Sequence, residues 1–261
     1  MTSDRPKADR EVQAAASPAR GSLCCPIVEL RQYTVYPERR DDLITIFDRE
    51  FVESQEVLGM RLIGQFRDLD APNRFVWIRG FADMATRHEA LTAFYSGPVW
   101  KRHGAAANAT MIDVDDVHLL HPVDAGSGFP FPGVGGDVAA ARPPAGATLT
   151  PSSLVSVVVY PVAGDVREFG RFFAAEIEPA LGVTPLARLE TDRSPNTFPG
   201  LPVREDANAF VWAARFDDAA AQAEHTAAWE SRTALRAELD RRLSAPPVAL
   251  RLAPTARSLL R

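Results

Sequence analysis

The sequence predicts an α+β protein made of two tandem ferredoxin-like (βαββαβ) domains, and three observations carry that prediction. The first is a repeated phrase. Phe75-Val76-Trp77, Phe81 and Asp83 return as Phe210-Val211-Trp212, Phe216 and Asp218, a shared F-V-W-x-x-x-F-x-D. Each copy lies downstream of a Tyr-Pro pair, Tyr36-Pro37 and Tyr160-Pro161. A long-period repeat decides the architecture before any local motif does. The second is the order of hydrophobic periodicities, which reads strand, helix, strand, strand, helix, strand in each half. The third is the material between the halves, rich in proline and glycine. The division expected from these is a flexible tail over residues 1–25, a domain over 26–123, a linker over 124–152 and a second domain over 153–261.

Element by element, residues 27–35 (IVELRQYTV) are rich in β-formers and predict a strand. Pro37 can open a helix, because its missing N–H is not needed in a first turn. Leu43, Ile46, Phe47 and Phe51 follow at helical spacing, and Gly59 closes the segment. Residues 60–67 and 75–81 predict a pair of strands around the turn Asp70-Ala71-Pro72-Asn73. Asp83 is suited to cap a helix running to about Tyr95. Gly97-Pro98 interrupts it, a short helix around Trp100 follows, and residues 110–120 predict the fourth strand. In the second half, residues 154–160 predict a strand. Asp165 and Glu168 form a capping-box pattern, and Val166, Phe169, Phe173 and Ile177 make an apolar stripe. Strands are expected over 186–190 and 210–216, joined by a long Pro-rich loop. Asp217 or Asp218 caps a long helix to about Leu243, and residues 248–252 make the last strand.

Composition excludes several classes. The 261 residues are 46% hydrophobic, enough for a core in each half. A net charge of −5 offers no basic stripe for nucleic acid. No apolar run approaches the ~20 residues of a membrane span, and the polar start lacks the apolar stretch of a secretory signal, so a cytoplasmic location is expected. Lysine occurs only at Lys7 and Lys101, and with abundant Ala and Pro this suggests a GC-rich bacterial genome. Cys24 and Cys25 are adjacent, a spacing that rarely bridges, so two separate thiols at the entry to the first strand are expected. The linker glycines do not sit between a strand and a helix and do not read as a phosphate loop.

Glu29-Leu30-Arg31-Gln32-Tyr33-Thr34, the strand 75–81, and Tyr95-x-x-Pro98-x-Trp100-Lys101 together resemble the NIPSNAP family, over about residues 27–123. The second half looks like a divergent copy that keeps the F-V-W strand and Trp229 but lacks the other two motifs. Family members are similar to dimeric α+β barrels, in which two ferredoxin-like sheets pair. The resemblance implies that this chain makes such a barrel from its own two halves. It implies no particular reaction.

Strand alternation sorts side chains by face. Small apolar Val28, Leu30, Val76, Ile78 and Gly80 are read as the face under the helices. Glu29, Arg31, Tyr33, Arg61, Gln65, Trp77 and Arg79 are then the polar lining of the barrel chamber. Glu29, Arg31, Tyr33 and Arg79 are the catalytic candidates. Arg61, Gln65, Trp77, Trp212 and His103 are the binding candidates. Aligning Tyr36 with Tyr160 sets Ser153, Val155 and Val157 against Glu29, Arg31 and Tyr33, and the repeated motif sets Ala214 against Arg79. One polar half-chamber facing an apolar wall suits a largely apolar small molecule with an anionic or carbonyl end. The expected function is a cofactor-independent enzyme, a monooxygenase, isomerase or cyclase, with a non-catalytic binding or scaffold protein as the alternative. No metal site is expected, since His118 and His121 fall on opposite strand faces. Haem would need a histidine such as His103 in the chamber. A sheet edge left unpaired would offer a route to a homo-oligomer.

Overall fold

A computed structural model describes residues 24–130 and 142–261. Most of the expected tail, and part of the expected linker, lie outside the described residues. The first half runs β1 (Ile27–Val35), α1 (Arg40–Ile46), a π-helical turn (Phe47–Phe51), α2 (Val52–Glu56), β2 (Arg61–Asp68), β3 (Arg74–Phe81), α3 (Met84–Ser96), α4 (Pro98–Asn108) and β4 (Met111–Pro122). The second runs β5 (Leu154–Pro161), α5 (Val166–Phe172), a π-helical turn (Phe173–Ile177), a short 3-10 turn (Glu178–Ala180), β6 (Ala187–Thr191), β7 (Ala209–Phe216), α6 (Ala219–Glu230), α7 (Thr233–Asp240) and β8 (Val248–Pro254).

Aspartates start the helices where expected. Asp83, Asp165 and Asp218 each accept a hydrogen bond from the backbone N–H three residues on. Three local expectations fail. Pro37 sits in a turn and the helix begins only at Arg40, because Glu38 takes a left-handed φ of 65°. The helix around Trp100 is long, Pro98–Asn108, with Pro98 in its first turn. The expected single helix to Leu243 breaks at Ser231-Arg232 into α6 and α7.

All eight strands close into one antiparallel barrel in the order β1-β3-β2-β8-β5-β7-β6-β4. Each half supplies four neighbouring strands. The seams are β2 against β8 (Phe66↔Pro254, Asp68↔Leu252) and β4 against β6 (Leu120↔Thr191, Pro122↔Leu189). Closure gives every strand two neighbours, but the two seams are short, three residue pairs each, so β4 over residues 111–116 pairs only with β1.

On β1 and β3 the strand faces are the reverse of the sequence expectation, while at the start of β2 Met60 and Leu62 face the helices and Ile63 the barrel interior as expected. Val28, Leu30, Val76 and Ile78 pack inside the barrel against Val155, Val157, Val211 and Leu252 from the other half. Trp77, Phe75 and Tyr33 pack outward against Phe47, Phe51 and Phe94 of the covering helices. A narrow eight-stranded barrel has room inside only for compact side chains, so the bulky and charged residues go to the helix side. Cys24 and Cys25 form a disulfide with each other, which corrects the expectation of separate thiols. Cys25 packs directly on Gly80, where a Cβ would meet its Sγ at 2.3 Å. Gly80 is therefore needed for close approach.

Candidate active site between the first-half sheet and its helices

Glu29, Arg31 and Tyr33 alternate along β1, and Glu29 and Arg31 pair in register with Arg79 and Trp77 of β3. All of these side chains point toward the helices. Glu29 Oε2 accepts from Arg31 Nη1 and from Arg79 Nε, both at 2.8 Å. Its Oε1 accepts from Arg87 Nε of α3 at 2.7 Å. The four side chains are 0% exposed. One buried carboxylate thus faces three buried guanidiniums. Burial pushes the Glu29 pKa up, but the fields of Arg79, Arg31 and Arg87 more than offset it and hold the carboxyl well below its usual range. Burial also works against the charge on Arg31, while Tyr33 and Glu29 hold its pKa above the ordinary value.

The excess positive charge is directed outward from Glu29. Arg31 Nε donates to the Tyr33 hydroxyl at 2.8 Å, and Arg79 Nη1 donates to Gln55 Oε1 at 3.0 Å. Gln55 is itself fixed, since its Nε2 donates to the carbonyl of Phe51 in the π turn. Arg31 and Arg79 lie over the Trp77 ring at 5.5 and 4.7 Å. Among the described residues, the Nη2 atoms of Arg31, Arg79 and Arg87 and the Nε1 of Trp77 are buried without a hydrogen-bond partner. Buried donors left unmade are costly, so such a set marks a place adapted to something other than stability.

Above this cluster lies a cavity of about 360 Å³. Tyr33, Gln55 and Trp77 form its polar end. Phe47, Phe94 and Trp100 form the walls, and Phe198 and Leu201 from the second half complete it. Tyr95, whose hydroxyl burial pushes up to about 12, stacks on Phe198 with ring centroids 5.7 Å apart. The volume lies at the small end of ligand pockets.

The structure brings Glu29, Arg31, Tyr33, Trp77 and Arg79 together, though beneath the helices rather than inside the barrel. It brings Gln65 beside them and leaves Arg61, His103 and Trp212 apart. Arg61 is exposed at the start of β2. Gln65 pairs in register with Trp77, on the same face of the sheet, and its buried side-chain amide has no partner among the described residues. His103 of α4 faces Glu50 of the π turn at 3.5 Å and does not line the cavity. Trp212 belongs to the second half, where its Nε1 donates to the Tyr160 hydroxyl at 3.3 Å. His118 is buried and pairs in register with Leu30, and burial depresses its pKa to about 4. His121 lies between Glu190 and Asp192. Among the described residues no cluster fit for a metal ion occurs. Sequence reasoning missed Arg87 and Gln55. Arg87 lies on the stripe Arg87, Ala90, Leu91, Phe94 that α3 buries. A charge within an apolar stripe was the signal that could have found it.

The ladder registers also correct the alignment of the halves. Val158 pairs with Trp212 as Arg31 does with Trp77, and Tyr160 pairs with Phe210 as Tyr33 does with Phe75. Tyr160 is therefore the counterpart of Tyr33, not of Tyr36. Ser156 then stands for Glu29, Val158 for Arg31, Ala214 for Arg79, and Gln222, four residues after the Asp218 cap, for Arg87. Gln222 Nε2 donates to Ser156 Oγ at 2.7 Å, a neutral replica of the Arg87–Glu29 contact.

A closed α+β barrel of two ferredoxin-like halves, with a sheet–helix cavity over buried charge in one of them, defines the class. Residues 28–125, the half that holds the cluster, match the NIPSNAP family model. Two solved structures share the whole architecture. A protein from Fusobacterium nucleatum named "putative monooxygenase" superposes with a TM-score of 0.53 at 10% identity, covering 88% of this chain and 93% of its own. One of the same description from Lactobacillus acidophilus gives 0.50 at 13%, covering 90% and 97%. An uncharacterized NIPSNAP-like domain protein from Burkholderia xenovorans is 26% identical over 37% of this chain and 84% of its own, with a TM-score of 0.34. No curated protein matches the chain. Among the described residues, no helix is long and apolar enough to cross a membrane.

Proposed function

We propose that the first-half cavity binds a small, largely apolar molecule by an anionic or carbonyl oxygen. The observation that carries this reading is the Arg31–Tyr33 contact. Arg31 donates to the Tyr33 oxygen from behind, so the hydroxyl proton is left to donate to a ligand oxygen in the cavity, backed by buried positive charge. Aromatic walls supply the apolar contacts. Where binding serves chemistry, the reaction is one that develops negative charge on that oxygen, as an enolate or phenolate does in oxygenation without a cofactor, isomerisation or cyclisation. Glu29 is engaged on both oxygens and held ionised, which makes it a positioning residue and a poor base. Among the described residues, no carboxylate or imidazole lines the cavity, and this favours a non-catalytic binding protein as the second reading.

Calorimetric titration with 2-naphthoate, 2-naphthaldehyde and naphthalene tests the proposal. The oxygenated probes are expected to bind more tightly than naphthalene. Tyr33→Phe should weaken them about 5- to 10-fold, the worth of one hydrogen bond to a charged or polarised group, and leave naphthalene unchanged. Equal binding of all three probes, or none, overturns the reading.

A further inference from the structure

The loop between β6 and β7, residues 192–208, belongs to the second half but lies over the cavity of the first. Its ends are pinned along β4, where Asp192 N donates to Leu119 O and Arg204 N to Val117 O, at 2.9 and 2.8 Å. Its middle is latched to α3. Arg87 Nη1 donates to Asn196 Oδ1 at 3.0 Å and to Thr197 Oγ1 at 3.3 Å. Thr197 Oγ1 donates to the Met84 carbonyl, and His88 Nδ1 donates to the Thr197 carbonyl at 2.6 Å. Asn196 also shapes the loop from within, accepting from Phe198 N and donating to Leu201 O. Pro195, Pro199 and Pro202 further restrict its backbone. The outcome is an ordered strap that presents Phe198 and Leu201 to the cavity.

Among the described residues, the first half sends no comparable strap over the cavity of the second. The matching connection in the first half, residues 69–73 between β2 and β3, is a short turn that contributes only Asp70 to the larger cavity of the second half, about 610 Å³. The covered cavity is the one above the charge cluster. Arg87 joins the two, since the same guanidinium that holds Glu29 through Nε holds the strap through Nη1.

We infer that the strap is the selectivity element of the first-half site, with Phe198 and Leu201 limiting the length of a flat aromatic ligand that slides beside Tyr95. This rests on the cavity being the binding site proposed above. Phe198 stacks nearly parallel on Tyr95, at 25° between the rings, and closes the end of the aromatic slot. Tyr33 fixes the ligand oxygen at one end, and Phe198 decides how much ring fits before the other. The strap also orders the Arg87 end of the cluster, so a ligand that seats fully should tighten the latch.

The test uses the full chain and two acids, 2-naphthoate and the longer 2-anthroate, titrated calorimetrically, with hydrogen exchange of amides in the strap. Wild type should bind naphthoate at least tenfold more tightly than anthroate, and saturation should slow exchange at residues 196–204. Phe198→Ala should cut that preference at least fivefold, by gaining anthroate affinity, and Phe198→Leu should do so partially. A thermal melt verifies that each variant folds. If wild type binds naphthoate but the preference survives in both variants, and exchange does not respond, the strap is not the selectivity element and the binding reading stands. If wild type binds neither acid, the binding reading itself fails and this inference falls with it.

Discussion

The two halves of the barrel share a frame and differ in what they bury beneath it. In the first, Glu29, Arg31, Arg79 and Arg87 form an ionic cluster wholly removed from water. At the same ladder and helix positions the second has Ser156, Val158, Ala214 and Gln222. Both keep Phe-Val-Trp on the central strand, a tyrosine beside it, and a π turn beginning at Phe47 or Phe173. The second half therefore shows that this unit closes and packs without buried charge. Replacing a buried ionic group by apolar residues is often neutral or stabilising, so the cluster is not what the fold demands. What distinguishes its half is a cavity roofed by Phe198 and Leu201 of the other half.

Removing the lone anion is the severest challenge to this contrast. Glu29→Gln leaves three guanidiniums buried together and is expected to destabilise the protein by about 3–5 kcal/mol, measured by urea unfolding. Importing the whole second-half set, Glu29→Ser with Arg31→Val, Arg79→Ala and Arg87→Gln, should cost less than that single change while abolishing binding of 2-naphthoate. If the fourfold variant is the less stable of the two, the cluster is structural and the first half needs its charge in order to pack.

A second difference lies one residue along the π turns, where Asp48 stands opposite Ala174. Burial pushes the Asp48 pKa up to about 6, with the Thr255 hydrogen bond and Arg257 acting against it. A raised folded-state pKa means that the folded protein holds the proton more tightly than the unfolded chain. Its contribution is therefore full below the ordinary value of 3.8 and is lost as pH rises through about 6. Asp48→Asn should raise stability at pH 8 by up to about 3 kcal/mol, since every tenfold change in proton affinity between the folded and unfolded chain is worth about 1.4 kcal/mol. It should give little gain at pH 4. Equal gains at both pH values would refute the assignment.

The mildest challenge concerns the two tyrosines. Tyr160→Phe deprives Trp212 Nε1 of its acceptor and should cost about 1 kcal/mol of stability without changing 2-naphthoate affinity. Tyr33→Phe should do the opposite, with its main effect on binding. Matching effects from the two substitutions would mean that the halves are equivalent after all.

Much of the fold was legible in the sequence, because the repeat and the turn and cap residues are local signals. Asp83, Asp165 and Asp218 each announce a helix start on their own. Three residues of the cluster were legible together, since Glu29, Arg31 and Arg79 are charges within strands, while Arg87, on a helix, was not. Their side of the sheet was not. In a barrel covered by helices both faces of a strand are buried, so alternation has no wet side to orient it. The deciding quantity, how much volume the barrel interior can accept, belongs to the closed assembly and to no single strand. Phe198 and Leu201 were illegible for a different reason. They reach the cavity from a loop more distant in sequence than any periodicity can connect, and nothing in a Pro-rich segment says what it will cover.

The seams β2–β8 and β4–β6 join strands of one polypeptide. In a barrel assembled from separate subunits, a cavity roofed by the neighbour would be complete only above the concentration at which subunits associate, and identical subunits would roof each other alike. Here the roof is tethered to its cavity at a fixed effective concentration. Dilution cannot uncover it, and each half is free to drift on its own. The expected stoichiometry is one strap-roofed site per chain, unchanged however thinly the protein is spread.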